Sequence, residues 1–268
     1  MQEASLPRAK KRFGQNFLVQ PQVVQRIIAA IAPQTDDLVV EIGPGPGALT
    51  RGLLQGLSRL DVVELDRDLL AGLRALDGSG ALRVHHADAL SFDFAALASG
   101  REQVLRVVGN LPYNIATPLI FHLLDQADVL RDMHFMLQKE VVERMVAAPG
   151  SKAYGRLSAM IQASCAVVSL CTVAPDNFFP APKVDSAFLR LIPHRPPRVP
   201  EALRPAFAQV VAKAFAQRRK TIANNLRGII SADTLLALDI DPGCRAETLD
   251  QAAFLRLAEA FLHQGSLP

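Results

Sequence analysis

The stretch "DLVVEIGPGPGALTRGLLQGL", Asp37 to Leu57, decides the fold. Four apolar residues enclosing one acid read as a buried strand. Gly43, Gly45 and Gly47 then turn the chain, and "ALTRGLLQGL" resumes with helical period. Working outward, the same alternation recurs. "QVVQRIIAAIA" upstream has the spacing of an amphipathic helix; downstream come "RLDVVELD" (strand), "RDLLAGLRAL" (helix), "ALRVHH" and "VLRVVGN" (strands) and "PLIFHLLDQA" (helix). Near-continuous apolar strands between helices predict a parallel sheet covered on both faces. "MHFMLQ", "AVVSLCTVA" and "SAFLRLI" are expected to extend it, the last two as an antiparallel pair at one edge.

"PHRPPRVP", Pro193 to Pro200, places four prolines in eight residues and ends this pattern. Beyond it Phe207, Val211, Phe215, Ile222 and Leu226 form a helical stripe that lapses at "QRRKT". The expected division is therefore a catalytic domain over residues 1–195 and a small all-helical domain over 196–268.

The 268 residues suffice for such an arrangement, and half of them are apolar. The N-terminus carries cations but no apolar run of signal-peptide length, and no later run reaches a membrane span, which predicts a cytoplasmic protein. Cys165, Cys171 and Cys244 form no CxxC pair, His85 and His86 lack a second ligand cluster, and no metal is expected. Charge is unevenly distributed: residues 183–232 hold 10 Lys and Arg against 2 Asp and Glu, a local excess that points to a polyanion.

In a parallel sheet, ligands sit at the carboxyl ends of the strands, where a Gly-rich turn allows close approach to the backbone. The spacing GxGxG differs from the GxGxxG of dinucleotide folds, and the chain has no GxxxxGK[ST]. Glu64 ends the second strand and can accept from both hydroxyls of a ribose. Asp88 follows the third and can accept from an adenine amine. Glycines, Glu and Asp in this order favour S-adenosylmethionine.

The fourth strand delivers "NLPY", Asn110 to Tyr113, to the same edge. An adenine amine is a poor nucleophile because its lone pair is delocalised. The Asn110 side-chain oxygen and a backbone carbonyl of Leu111–Pro112 could hold its two hydrogens, letting the nitrogen pyramidalise and attack a sulfonium methyl in line. Proline fixes the turn and removes a competing donor. Extruding a base costs about a few kcal/mol, and each aromatic stack returns roughly 1–3 kcal/mol. Tyr113 is expected to stack on the base, with Phe178 of "FFPAPKVDS" as the second ring or as a core residue.

Together "QNFL", "EIGPGPGALT", "VELD", "NLPY", "YGRLS", "FFPAPKVDS", "RRKTIANNL" and "RAETL" resemble the small-subunit ribosomal RNA adenine dimethyltransferases of the kasugamycin-sensitivity type, from about Arg12 to the C-terminus. The resemblance implies a Rossmann-like class I methyltransferase sheet with a helical C-terminal domain. It also implies N6,N6-dimethylation of two adjacent adenosines near the 3′ end of 16S rRNA, four S-adenosylmethionine molecules and a pre-assembled small subunit as substrate. By position, Asn16 and Leu18 would close over the cofactor. Gly43, Glu64, Asp88 and Asn110 would line its site, Asn110, Leu111, Pro112 and Tyr113 would hold the amine, and Phe178 would flank the base.

Lys10, Lys11 and Arg12 then read as an RNA-contacting arm, and Arg218, Arg219 and Lys220 as a second contact. Residues 204–232 hold six cations and no acid. If about six meet phosphates, log affinity falls with log salt at a slope of roughly −4 to −5. The expected partner is 16S rRNA within the small ribosomal subunit, with no DNA and no membrane, and the chain is expected to be a monomer. Two alternatives stand beside this reading: a large-subunit rRNA adenine methyltransferase of the macrolide-resistance type, and a non-catalytic RNA-binding assembly factor.

Overall fold

The computed structural model describes residues 7, 9, 10, 13–101 and 103–264. The deciding stretch forms β2 (Leu38–Ile42), buried at all five positions, and α2 (Ala48–Leu53). Before it lie β1 (Phe17–Leu18) and α1 (Pro21–Ile31). Pro21 sits in the first turn of α1, where its missing N–H costs nothing, and Ala32 ends the helix in the left-handed region. After it come β3 (Leu60–Glu64), α3 (Arg67–Arg74), β4 (Leu82–His86), α4 (Ala95–Ala98), β5 (Leu105–Asn110) and α5 (Ala116–Leu124). Asp66 caps α3 by accepting from the Asp68 N–H at 3.2 Å. The chain continues through β6 (Leu130–Gln138), α6 (Lys139–Val146), α7 (Arg156–Ser164), β7 (Cys165–Val173), β8 (Phe178–Phe179) and β9 (Ser186–Pro193). It closes with α8 (Arg204–Ala214), α9 (Ile222–Asn225), α10 (Ala232–Ala237) and α11 (Gln251–Gln264).

Seven strands form one sheet in the order β4-β3-β2-β5-β6-β9-β7. Pairings from β4 through β6 are parallel, and β9 is antiparallel to β6. The chain runs outward from β2 to β4, then returns to β5 beside β2. The sheet is α/β and Rossmann-like, and its switch point lies between β2 and β5, where a ligand crevice opens beyond the strand ends. A separate two-residue ladder pairs Phe17 with Phe179 and Leu18 with Phe178.

The contacts divide the chain into two compact units: Met1–Val142 with Val168–Pro193, and Glu143–Val167 with His194–Pro268. Residues 143–167 thus lie with the helical unit, whereas a single cut after residue 195 assigns them to the sheet. Packing explains the difference. Tyr154, Ala159 and Ala163 belong to one core with Phe207, Leu226 and Phe254. Tyr154 is 1% exposed, Gly155 caps α7, and the Ser158 hydroxyl accepts from the Gly155 N–H and donates to the Arg144 carbonyl. "YGRLS" is therefore an architectural motif of the second unit. The lapse at "QRRKT" is the bend between α8 and α9. Buried Asn225 spans it by donating to the carbonyls of Ala214 and Gln217. Among the described residues no helix is long and apolar enough to cross a membrane, and no group of His, Cys, Asp and Glu is placed to hold a metal ion.

Candidate functional site

Beyond the carboxyl ends of β2, β3, β4 and β5 lies a cavity of about 340 Å³, in the size range of small-ligand sites. Its wall begins with the turn after β2. The Gly43 N–H donates to the Val63 carbonyl at 2.9 Å, tying the turn to β3. Gly45 has φ +58, and a Cβ there would stand 3.0 Å from the Phe17 ring, so the turn requires glycine at this point. The Gly45 N–H donates to Glu64 Oε2 at 3.2 Å, and the Asp66 N–H donates to Glu64 Oε1 at 2.8 Å. Burial pushes the Glu64 carboxyl up from its ordinary range, against the opposing effect of these donors.

Asp88 follows β4 and is exposed at the cavity edge; its Oδ1 accepts from the Leu90 N–H at 2.9 Å, which leaves Oδ2 as the remaining acceptor. Asn110 ends β5. Its Nδ2 donates to the Asn16 carbonyl at 2.8 Å. Because that partner can only accept, the amide orientation is fixed and Oδ1 is the atom left to accept. The Pro112 carbonyl accepts from the Ile115 N–H at 3.1 Å, closing a turn and leaving the Leu111 carbonyl as the remaining acceptor of the pair. The Tyr113 hydroxyl shares a 2.8 Å hydrogen bond with Ser186 Oγ, which is fully buried. Burial raises the Tyr113 hydroxyl above its ordinary value, with the Ser186 bond opposing.

Asn16, Leu18, Gly43, Glu64, Asp88 and Asn110 thus share one wall with Leu111, Pro112 and Tyr113. Three of the sequence-predicted residues are engaged within the fold. Phe178 is 4% exposed and packs in the sheet's core cluster with Leu18, its ladder partner, rather than on the cavity wall; the exposed ring of that pair is Phe179, at 54%. Lys10 is no free phosphate contact, since its Nζ stands 2.5 Å from both Asp66 Oδ1 and Asp68 Oδ2. Arg218 is exposed but engaged, with Nε 3.0 Å from Glu247 Oε2 and a guanidinium bond to the Lys152 carbonyl. Arg219 and Lys220 are exposed. Lys11 and Arg12 lie outside the described residues.

Sequence reasoning missed Glu41, which also lines the cavity, is 2% exposed and accepts from Thr50 Oγ1 at 2.6 Å. Its signal was an acid inside an otherwise apolar strand. Ser186, which fixes the Tyr113 ring, closes "FFPAPKVDS" and opens β9, and nothing in the sequence pairs it with Tyr113. Glu41, Glu64 and Asp88 give the wall three acidic side chains, and among the described residues no Lys or Arg lines it. Such a donor set suits a cationic nucleoside ligand and is ill suited to a polyphosphate.

Comparison with known proteins agrees with this geometry. The chain is 71% identical over 266 residues to the ribosomal RNA small subunit methyltransferase A of Acidithiobacillus ferrooxidans, covering 99% of each chain. Its fold matches the crystal structure of a dimethyladenosine transferase from Plasmodium falciparum with a TM-score of 0.81 and 27% identity, over 93% of this chain and 98% of that one. It also matches the 23S rRNA methyltransferase ErmE with a TM-score of 0.72 and 25% identity, over 92% and 99% of the two chains. The model of the ribosomal RNA adenine dimethylase family matches residues 7–262, and the chain belongs to that family.

Proposed function

We propose that this methyltransferase uses S-adenosylmethionine to dimethylate N6 of two adjacent adenosines near the 3′ end of 16S rRNA in the assembling small ribosomal subunit. The observation that carries the reading is a cavity walled by three acidic side chains, without Lys or Arg among its described residues, that opens on Asn110–Tyr113. S-adenosylmethionine is cationic at sulfur and lacks phosphates, so this wall fits it. When bound it supplies an electrophilic methyl group. Glu64 receives the ribose hydroxyls, Asp88 the adenine amine of the donor, and Asn16 and Leu18 cover it.

The acceptor base enters beside Asn110. Asn110 Oδ1 and the Leu111 carbonyl take its two amine hydrogens, which localises the nitrogen lone pair toward the donor. Pro112 offers no N–H that would compete for that lone pair. Tyr113, anchored through Ser186, stacks on the extruded ring and returns part of the unstacking cost, about 1–3 kcal/mol. No strong base is needed, because the alkylated amine is acidic enough to lose its proton after transfer. A cytoplasmic site of action accords with a ribosomal substrate.

Labelled S-adenosylmethionine and small subunits lacking the modification test the reading. Dimethyladenosine is expected in 16S rRNA. Asn110→Ala should lower transfer by about 10²–10³-fold, as loss of an oriented polar group in an active site does, while subunit binding persists. The likeness to ErmE supports one rival, methylation of large-subunit RNA. Product confined to that RNA would defeat the assignment, and binding with no transfer by the wild type would favour a non-catalytic assembly factor.

A further inference from the structure

Residues Phe13–Leu18 form one side of the cavity, so whatever fastens this segment also shapes the donor site. Its fastenings are specific. Gln15 Oε1 accepts from the Lys10 N–H at 2.8 Å, and Gln15 Nε2 donates to Asp66 Oδ2 at 3.2 Å. Lys10 Nζ lies between Asp66 and Asp68. Burial disfavours the charged Asp66 carboxylate, but the bonds from Lys10, the Asp68 N–H and Gln15 hold it below the ordinary carboxylate range. That side chain is only 4% exposed, unlike the ends of an ordinary surface ion pair. The backbone N–H of the same Asp66 is the one that donates to Glu64 Oε1.

Asp66 therefore faces both ways, with its carboxylate on the segment and its N–H on the acid assigned to the ribose. We propose that Lys10 is a positioning residue for the methyl donor: its bridge to Asp66 and Asp68 fastens Phe13–Leu18 over the cavity and holds Asp66, and through it Glu64, in register. The proposal rests on the cavity being the S-adenosylmethionine site.

Charge decides the strength of the effect. Without the ammonium group, Asp66 and Asp68 face each other beside Glu64, and three carboxylates share one corner without a described cation between them. Exposed ion pairs are worth little, whereas one that neutralises a buried carboxylate resists replacement by a neutral side chain. The segment also reaches the acceptor loop, since a Cβ on Gly14 would stand 3.1 Å from Asn114 Oδ1. Fastening it thus orders the donor wall and the edge of the acceptor wall together.

The test uses the full chain and Lys10→Met, which keeps the stem and removes the charge, with Lys10→Arg as the conservative variant. Calorimetric titration with S-adenosylmethionine should show a dissociation constant raised about 5- to 10-fold in Lys10→Met, the equivalent of about 1 to 1.4 kcal/mol. Lys10→Arg should recover it to within about 2-fold. At saturating donor, whose binding itself holds Phe13–Leu18 in place, the transfer rate should change less than the donor affinity, because Lys10 touches no reacting atom. Amide hydrogen exchange across Phe13–Leu18, measured without donor, should be faster in Lys10→Met and normal in Lys10→Arg. Unchanged exchange and donor affinity, with weaker subunit binding and a salt slope flatter by about 1, would return Lys10 to the RNA interface and overturn the proposal. Wild type that binds no donor, yet shows the exchange difference, would sink the cofactor reading and leave the fastening intact.

Discussion

Buried charges in this sheet sort by strand end. Arg106, second in β5, bonds Asp132 at 2.9 Å and Asp37 at 2.8 Å, and Asp61, second in β3, bonds Arg59 and His85, each at 2.7 Å. Glu41 and Glu64 stand at the other end, held by a hydroxyl and by backbone N–H groups, with no cation described beside them. An acid inside an apolar run is visible in sequence, but its pairing is not, because Asp132 and Arg106 meet only once β5 and β6 are side by side. That is why Glu64, at a strand terminus, was legible as a ligand group and Glu41 was not. The unpaired end has a measurable consequence. Burial pushes Glu41 up to about 8, aided by the nearby Glu64 charge and opposed by the Thr50 bond. Without donor, the folded chain keeps a proton there that the unfolded chain releases near its ordinary value of 4.5. The folded state binds more protons between these limits, so this contribution to stability is complete at low pH and lost as pH rises to about 8. Relative to Glu41→Gln, the wild type should lose on the order of a few kcal/mol over that interval. Urea denaturation of both proteins across it checks this; parallel profiles would show that Glu41 is ionised in the fold.

At the scale of elements, the end of β5 shows how local sequence aims a side chain. β5 pairs with β2 through Val108 and Glu41, and a Cβ on Gly109 would stand 2.6 Å from the Ile42 carbonyl oxygen. Only glycine lets the two backbones approach so closely where they deliver Asn110 and Gly43 to the same cavity. Gly109→Ala should force the strands apart, at a cost of about 1–3 kcal/mol by analogy with overpacked cores. A displacement of Asn110 by as much as 1 Å would then lower methyl transfer by about 10²-fold. Thermal unfolding and the transfer assay together test it, and wild-type turnover with an unshifted melting temperature would exclude the steric argument. The strands and helices around this point were readable from periodicity, as were the Gly-rich turn and the "NLPY" corner. The β1–β8 ladder was not. It joins Phe17 and Leu18 to Phe179 and Phe178, and pairing over such a separation leaves no period in either short segment. For the same reason Phe178 could be read equally as a stacking ring or as core; its burial is decided by Leu18 across the ladder.

The whole molecule carries its cationic surplus in residues 183–232, while residues 233–268 hold 6 acids against 2 cations. Composition alone treats these as neighbouring blocks, one of them free to meet RNA. Folding within the second unit brings a member of the acidic block onto the basic one, because the loop before α11 places Glu247 against Arg218. The three cations of the α8–α9 bend are therefore unequal. Arg218 spends its guanidinium on Glu247 and on the Lys152 carbonyl, tying the bend to the loop between α6 and α7. Arg219 and Lys220 are exposed and better placed to release counterions from a phosphate backbone. Replacing both with Ala should flatten the log–log salt dependence of small-subunit binding by about 1.4–1.8, at roughly 0.7–0.9 per contact, and leave thermal stability nearly unchanged. Arg218→Ala should do the reverse. Its slope should move by less than one contact's worth, while the melting temperature falls, since the half-buried Glu247 carboxylate keeps only Arg245, 3.9 Å away, as a cation and the tie to Lys152 is lost. Binding titrations at several salt concentrations, paired with melting curves, separate the two outcomes. Equal slope changes for all three cations would mean that RNA displaces Glu247, and that the surplus read from composition acts undivided.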